Sequence, residues 1–160
     1  MSIQVVRADY HNKQQGQHIV ALLDEYARDP LGGGHALPAY TREHLVTRLA
    51  EVPYAFSILC YVDKKPAGLV NCFQGFSTFK CQPLINIHDV VVTEAFRGWG
   101  LARRMFDEVE AVARERQCCK LTLEVLEGNQ HAQQVYKKLG FESYELDPEF
   151  GRALFWEKLL

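Results

Sequence analysis

The stretch that decides the fold covers residues 90–102 and reads Val90-Val91-Val92-Thr93-Glu94-Ala95-Phe96-Arg97-Gly98-Trp99-Gly100-Leu101-Ala102. Its β-branched beginning predicts a strand, and the apolar spacing that follows Gly100 predicts an amphipathic helix. A strand that enters a helix through glycines directs the unpaired N–H groups of the first helical turn at one spot, at the positive end of the helix dipole. Such a turn is suited to binding phosphate.

The residue types of this turn also favour an anion. Gly98 and Gly100 lack a Cβ, so a phosphate can approach the backbone closely. Positive charge beside them comes from Arg97, Arg103 and Arg104. The alternative is a glycine-rich turn that serves only to reverse the chain. The spacing matches neither G-x-x-x-x-G-K-S/T nor G-x-G-x-x-G, which argues against sites for nucleoside triphosphates and dinucleotides.

Outward from this stretch, the hydrophobic pattern predicts the element order β-α-α-β-β-β-α-β-α-β-β. The predicted strands are 2–8, 55–62, 67–76, 84–92, 120–126, 141–146 and 152–159, and the helices are 14–28, 41–50, one that begins after residue 100, and 129–139. Three strands in series imply an antiparallel meander, and the later β-α-β unit implies a parallel crossover. The predicted fold class is α+β (mixed α/β), with a mixed, mostly antiparallel central sheet of about seven strands and helices on both faces.

Length and composition exclude several classes of protein. The chain has 160 residues, of which 48% are hydrophobic, and this suits a single domain over residues 1–160 with its own core. The net charge of −2 argues against a nucleic-acid partner. No stretch approaches the ~18 apolar residues of a membrane span, and residues 1–7 do not resemble a signal peptide. We therefore expect no membrane partner.

The five cysteines give no sign of a metal site or of a disulfide framework. Their number is odd, and no two of them have C-x-x-C spacing. They are Cys60, Cys72, Cys81, Cys118 and Cys119. The sequence therefore predicts no metal, cysteines that act as small buried hydrophobic residues, and a reducing, cytoplasmic location.

Two motifs, taken together, resemble those of the GNAT superfamily of N-acetyltransferases. Residues 97–102, Arg-Gly-Trp-Gly-Leu-Ala, match its R/Q-x-x-G-x-G/A motif. Residues 129–141 match its second motif, N-x-x-A-x-x-x-Y followed by a Leu-Gly-Phe ending. The two motifs lie about thirty residues apart, as the family requires for one helix and one strand between them. The clear match covers residues 85–141, whereas residues 1–80 match only in pattern.

This resemblance implies acetyl-coenzyme A as the donor and a primary amine as the acceptor. The donor-binding residues that it implies are Val90, Val91, Val92, Arg97, Gly98, Trp99, Gly100, Leu101, Ala102, Arg103, Asn129 and Tyr136. The N–H groups of the turn would hold the pyrophosphate, and residues 90–92 would pair with the pantetheine arm like an added strand. Asn129 would hydrogen-bond the arm from the other side, although asparagine is equally suited to cap its helix.

The resemblance also implies that Tyr136 is the general acid. Attack on the thioester expels a thiolate whose pKa is roughly 8.5 if coenzyme A behaves like a cysteine thiol. A phenol within hydrogen-bond distance can protonate that sulfur. Tyr136 lies seven residues, about two turns, after Asn129, so both face one side of the helix. The alternative is a structural tyrosine, because Tyr136 shares an apolar stripe with Ala132 and Leu139.

Three residues are candidates for the general base. An acceptor amine with a pKa of roughly 10.4 must lose a proton before it attacks. Asp89, directly before the donor-binding strand, is the preferred base and would act through a water, or it would only position a cationic acceptor. His88 and Glu124 are the other candidates. Consecutive strand residues point to opposite faces, so at most one of His88 and Asp89 is expected to face the site unless a bulge intervenes.

We therefore expect an acetyl-coenzyme A-dependent N-acetyltransferase, an acyltransferase with a small-molecule amine as its acceptor. The alternatives are acetylation of a protein N-terminus or lysine, and a non-catalytic module that binds acetyl-coenzyme A. We also expect a homodimer, because the predicted terminal strand carries the apolar run Ala153-Leu154-Phe155-Trp156 at an edge of the sheet.

Overall fold

The computed structural model describes all 160 residues, in two compact units, residues 1–123 and residues 124–160. The first unit contains β1 (Ile3–Arg7), α1 (Lys13–Arg28), α2 (Ala39–Glu51), β2 (Phe56–Val62), β3 (Lys65–Ser77), β4 (Gln82–Val92), α3 (Leu101–Glu115) and β5 (Leu121–Leu123). The second unit contains one α-helix, α4 (Gln130–Lys138). None of these helices combines the length and the apolar character needed to cross a bilayer.

The first unit is built on a five-stranded sheet in the order β1-β2-β3-β4-β5. Strands β1 to β4 are antiparallel neighbours, and β5 pairs with β4 in parallel. Helix α3 connects the two parallel strands, because strands that run in the same direction need a long crossover. The sheet is therefore mixed and mostly antiparallel, as the sequence predicts.

Helix α1 covers one face of this sheet. Leu59, Leu69 and Val91 lie side by side across β2, β3 and β4 and form an apolar row. The row packs against Ile19 and Leu22 of α1, and all five side chains are buried. Because Ile19 and Leu22 are three residues apart, they lie on the same side of the helix. Their contact with the row holds α1 against the sheet.

Helix α3 covers the opposite face and packs against a glycine. Gly68 precedes Leu69 in β3, so the two residues face opposite sides of the sheet. A Cβ at Gly68 would lie 2.8 Å from Met105 Cε in α3. Glycine is therefore the residue that lets the helix approach this closely. The predicted arrangement, with helices on both faces, is confirmed.

The sheet has five strands and not the seven that the sequence predicts. Neither 141–146 nor 152–159 forms a strand, although a backbone hydrogen bond of 3.0 Å runs from Ala153 N–H to the Tyr144 carbonyl oxygen. The large apolar side chains of the second segment are 77%, 78% and 83% exposed in Leu154, Phe155 and Trp156. Consecutive apolar residues lack the alternation that buries one face of a strand, and strand propensity depends on pairing and on a core face.

Candidate active site

The strand, turn and helix that the sequence predicts around the glycines are present. β4 ends at Val92, a short 3₁₀ turn covers Glu94–Phe96, and α3 begins at Leu101. Gly98 and Gly100 have φ values of 81° and 76°, in the left-handed region that strains residues with a Cβ. Apart from the glycine itself and its chain neighbours, no atom lies within 4 Å of the place where a Cβ would stand at either glycine. The turn therefore needs glycine for its backbone conformation, and the space beside it is open.

The N-terminus of α3 lacks the side-chain cap that α1 and α4 have. Helices α1 and α4 begin with Asn12 and Asn129, whose side-chain oxygens accept hydrogen bonds from the first turn. The N-cap residue of α3 is Gly100, which has no side chain to do this. The Arg104 N–H is 3.3 Å from the Gly100 carbonyl oxygen and makes the first helical bond. The N–H groups ahead of it have no acceptor within the helix, so they are suited to an anion.

The edge of β4 next to this turn is unpaired. β5 pairs with β4 only at residues 85–87, so the ladder stops before the last residues of β4. On the side of β4 that pairs with β3, the N–H group of Thr93 donates to the Ala67 carbonyl oxygen at 3.0 Å. Hydrogen-bonded and non-hydrogen-bonded pairs alternate along an antiparallel ladder. The N–H and C=O groups of Val90 and Val92 therefore point away from β3, toward the open edge, and those of Val91 point toward β3.

Four side chains lie in or beside the turn itself. Arg97 Nε donates to the Val92 carbonyl oxygen at 3.3 Å, which agrees with the outward direction of that carbonyl. The Trp99 ring packs edge-to-face on Phe96, with ring centroids 5.4 Å apart. Thr93 Oγ1, at the end of β4, is buried and has no hydrogen-bond partner. A buried hydroxyl without a partner is unfavourable, and no group of the protein compensates for it here.

A one-residue bulge in β4 brings both His88 and Asp89 to the α1 face. Asp89 lies opposite Asn71, but Ile87 lies opposite the next residue of β3, so His88 has no partner in the ladder. The His88 ring packs edge-to-face on Phe73, with centroids 5.2 Å apart. The bulge that would allow two consecutive residues to face one side is therefore present. The exception that the sequence argument allows therefore applies to this strand, and both residues lie on one face.

Asp89 is partly buried, and its carboxylate lies close to α1. Its Oδ2 accepts a hydrogen bond from Asn71 Nδ2 at 3.0 Å. Burial raises the pKa of the Tyr26 phenol in α1, and the negative charges of Asp89 and Asp29 raise it further. A carboxylate in this position can accept a proton or attract an ammonium group, which are the two roles that the sequence leaves open.

Sequence analysis does not find the residues that hold Asp89, which are Asn71 and Ser57. Ser57 Oγ donates to Asn71 Oδ1 at 2.6 Å, and both side chains are buried. The available signal is compositional, since each is a polar residue between apolar neighbours within a predicted strand. A buried polar group needs a partner. The identity of that partner depends on the strand register, which the hydrophobic pattern of the sequence does not give.

In the second unit, α4 has the boundaries that its motif predicts. Asn129 is the N-cap, and its Oδ1 accepts a hydrogen bond from Ala132 N–H at 3.2 Å. Gly140 has a φ of 96°, and Phe141 N–H donates to the Tyr136 carbonyl oxygen at 3.0 Å. These are the features of a Schellman C-cap. The capping role of Asn129 is thus confirmed, and its side-chain N–H₂ group is not used by the cap.

Tyr136 is partly buried and lies in the last turn of α4. Its ring packs against Phe141, with centroids 6.1 Å apart, so the C-cap also fixes the ring. Glu124 is exposed and lies one residue past β5, outside the strand that was predicted over 120–126. The structure therefore brings Asp89, residues 90–92 and residues 97–103 together in the first unit, whereas Glu124, Asn129 and Tyr136 belong to the second.

Known proteins of related sequence cover parts of the chain. An uncharacterised N-acetyltransferase of Methanocaldococcus jannaschii is 32% identical over 89 residues, which are 55% of this chain and 39% of that protein. The thialysine N-epsilon-acetyltransferase of Bos taurus is 35% identical over 65 residues, which are 41% of this chain and 38% of that protein. The chain thus spans about two fifths of the length of these curated relatives.

Solved structures share the whole fold. The aminoglycoside N-acetyltransferase AAC(6′)-Iy in complex with coenzyme A has a TM-score of 0.75 at 20% identity, with 98% of this chain and 95% of that chain covered. The model of the acetyltransferase (GNAT) family matches residues 34–141, which include the glycine turn, the bulged strand and all of α4. Since that match covers more than half of the sequence, the chain belongs to the acetyltransferase (GNAT) family.

Proposed function

We propose that this protein moves the acetyl group of acetyl-coenzyme A to a primary amine, by direct attack of the amine nitrogen on the thioester carbon. The observation that carries the proposal is the uncapped N-terminus of α3 next to the open edge of β4. A diphosphate fits the first feature, because the N–H groups there have no acceptor in the helix. An extended arm with amide groups fits the second, because it can pair with a strand edge.

The donor-binding residues follow from these two features. We assign the diphosphate to the turn and the first helical residues, Arg97, Gly98, Trp99, Gly100, Leu101, Ala102 and Arg103. We assign the pantetheine arm to the strand edge formed by Val90, Val91 and Val92. The N–H and C=O groups of Val90 and Val92 point outward, toward the arm. Asn129 keeps a side-chain N–H₂ group for a carbonyl of the arm, because its Oδ1 serves the helix cap.

The chemical step needs a base for the amine. A primary amine with a pKa of roughly 10.4 is mostly protonated at neutral pH and cannot attack in that form. Asp89 accepts this proton through a water, since its carboxylate is held on the α1 face with only Oδ2 engaged by Asn71. His88 is the second candidate, because the bulge places it on the same face. Glu124 is the third.

The step also needs an acid for the departing thiolate. Tyr136 fills this role, because a phenol can donate a proton or a hydrogen bond to sulfur as charge develops on it. Its ring is held by the C-cap of α4. The ammonium first gives one proton through water to Asp89, which releases it to solvent. A C–N bond then forms and the C–S bond breaks, the nitrogen gives its second proton to Asp89, and the phenol proton passes to sulfur. Transfer of the proton from Asp89 back to the phenolate through solvent restores both groups.

The acceptor that we propose is a small-molecule amine. A partly buried carboxylate favours a compact ammonium group, and an aminoglycoside N-acetyltransferase has this fold. A panel of small amines, an N-terminal peptide and a lysine peptide, each mixed with acetyl-coenzyme A, tests this by thiol release. Thiol release with the small amines and not with the peptides supports the proposal. Thiol release with a peptide and not with the small amines would assign a protein acceptor. Saturable binding of acetyl-coenzyme A without thiol release would assign a non-catalytic module.

Replacing Asp89 with asparagine should lower kcat by about 10²–10⁴-fold, the range of a general base. The KM for acetyl-coenzyme A should stay within about twofold, because Asp89 is not assigned to the donor. Steady-state kinetics with an amine from the panel measures both. The matched variants His88→Asn and Glu124→Gln remove the other two candidates. Full activity in Asp89→Asn, with a large loss in one of these variants, would move the base to that residue.

We also propose a homodimer that uses residues 152–159 or an edge of the sheet. Leu154, Phe155 and Trp156 are each more than three-quarters exposed, and contiguous exposed apolar surface marks interaction sites. Light scattering at micromolar concentration should give twice the mass of one 18.3 kDa chain. The double variant Leu154→Lys/Phe155→Lys should give the mass of a single chain. A single-chain mass for the unaltered protein would contradict the proposal.

A further inference from the structure

A line of hydrogen bonds crosses the sheet and ends on Asp89. The Tyr10 hydroxyl lies 2.8 Å from Ser57 Oγ. Ser57 Oγ lies 2.6 Å from Asn71 Oδ1, and Asn71 Nδ2 lies 3.0 Å from Asp89 Oδ2. Ser57, Asn71 and Asp89 occupy adjacent register positions of β2, β3 and β4, on the same face as the apolar row. A polar row thus lies beside the apolar row that holds α1.

The carboxylate determines the direction of every bond in this line. An ionised carboxylate only accepts hydrogen bonds, so the Asn71 N–H₂ group must face Asp89. The Asn71 carbonyl oxygen then faces Ser57, whose hydroxyl must donate to it. Ser57 Oγ consequently accepts from Tyr10, and burial raises the pKa of the Tyr10 phenol, which keeps its proton available. Each group in the line therefore has one orientation.

The backbone alone does not hold Asp89 in this way. Asp89 follows the bulged residue His88, where the ladder between β3 and β4 is interrupted. Ser57 and Asn71 are 0% and 3% exposed, so their orientations are set by protein partners. Because the Asn71 amide is buried and donates directly to Asp89 Oδ2, it is the group that fixes the carboxylate.

We propose that Ser57 and Asn71 are positioning residues for the reaction, a role that rests on the proposed function of Asp89 as the base. Asn71 holds Oδ2 and thereby directs Oδ1 at the water or amine that gives up the proton. Ser57 acts one step earlier, since its hydroxyl donates to Asn71 Oδ1 and so holds the amide that donates to Asp89. The line does not conduct protons, because an amide N–H₂ group donates a hydrogen bond without releasing its proton.

Two variants of the full-length protein test this role. Ser57→Ala should lower kcat about tenfold, and Asn71→Leu about a hundredfold, because small errors in the position of a reacting group cost this much. The KM for acetyl-coenzyme A should stay within about twofold in both. Tyr61→Phe is the matched control, since it removes a partly buried hydroxyl, bonded to His18 Nδ1 at 2.9 Å, from the same face. It should leave kcat unchanged.

A double-mutant cycle separates positioning from a structural role. In an Asp89→Asn background, Ser57→Ala should change kcat less than about twofold, because no base remains to be positioned. An equal loss in both backgrounds, or no loss in either, would overturn the positioning role while the base assignment stands. If Asp89→Asn alone keeps full kcat, the base assignment fails and the positioning role fails with it. Should Asn71→Leu not fold, the Ser57→Ala cycle decides the question.

Discussion

A Gly100→Asp variant is expected to lose coenzyme A binding while the fold stays intact. Gly100 has a φ of 76°, and an L residue in this region is strained by roughly 1–2 kcal/mol. The new carboxylate would stand in the open space beside the first turn of α3, where the diphosphate is proposed to bind. Negative charge at that place repels the ligand and competes for the same N–H groups. Calorimetry should show affinity reduced by at least about a hundredfold.

Two further variants separate charge from strain in this experiment. Gly100→Ala introduces the strained Cβ without the charge and should weaken binding by a smaller factor. Gly34→Asp places the same carboxylate on a glycine with a φ of 80° and nothing within 4 Å of the added Cβ, outside the turn. It should bind coenzyme A as the unaltered protein does. Unchanged affinity in a folded Gly100→Asp variant would refute the site.

The parts of the fold that the sequence predicts well are those with local causes. The glycine turn follows from Gly98 and Gly100 themselves, because their positive φ is a property of single residues. The C-cap of α4 follows likewise from Gly140 and Phe141. The prediction of two closing strands is wrong for the opposite reason. Residues 141–146 and 152–159 have suitable residue types, but a strand requires a partner at a distance, and the pattern carries no information on that partner.

The same distinction applies to the candidate site. The N–H groups at the start of α3 are predictable because they depend on one strand, one turn and one helix. The surroundings of Asp89 are not, because Ser57, Asn71 and Asp89 become neighbours only through the registers of three strands. The bulge at His88 is a further case. Nothing in the sequence marks the inserted residue, yet it decides that His88 and Asp89 share a face.

The acid and the base of the proposed reaction belong to different units of the chain, Tyr136 to residues 124–160 and Asp89 to residues 1–123. A mutation at Asp89 alters the polar row of the sheet. Tyr136 lies in the last turn of α4, where its ring contacts Phe141. Tyrosine and phenylalanine have the same ring, so Tyr136→Phe preserves that contact and removes the hydroxyl alone.

Tyr136→Phe is expected to lower kcat by about 10²–10⁴-fold, the contribution of a general acid. Affinity for acetyl-coenzyme A should change less than about twofold, because stabilisation of the leaving group acts only as charge develops on sulfur. Steady-state kinetics and calorimetry measure these quantities, and a thermal melt checks stability. Tyr144→Phe, which removes a hydroxyl from a 55% exposed tyrosine in the same unit, is the control and should keep full activity.

The pattern of loss distinguishes three roles for this tyrosine. An acid loses kcat and keeps affinity, because the missing hydroxyl matters only in the transition state. A donor-binding hydroxyl raises the KM for acetyl-coenzyme A and leaves kcat unchanged, because it stabilises substrate and transition state equally. A structural tyrosine lowers the melting temperature with little kinetic change. If Tyr136→Phe retains full kcat with a good amine substrate, the acid assignment is wrong, and water or the substrate ammonium must then deliver the proton to sulfur.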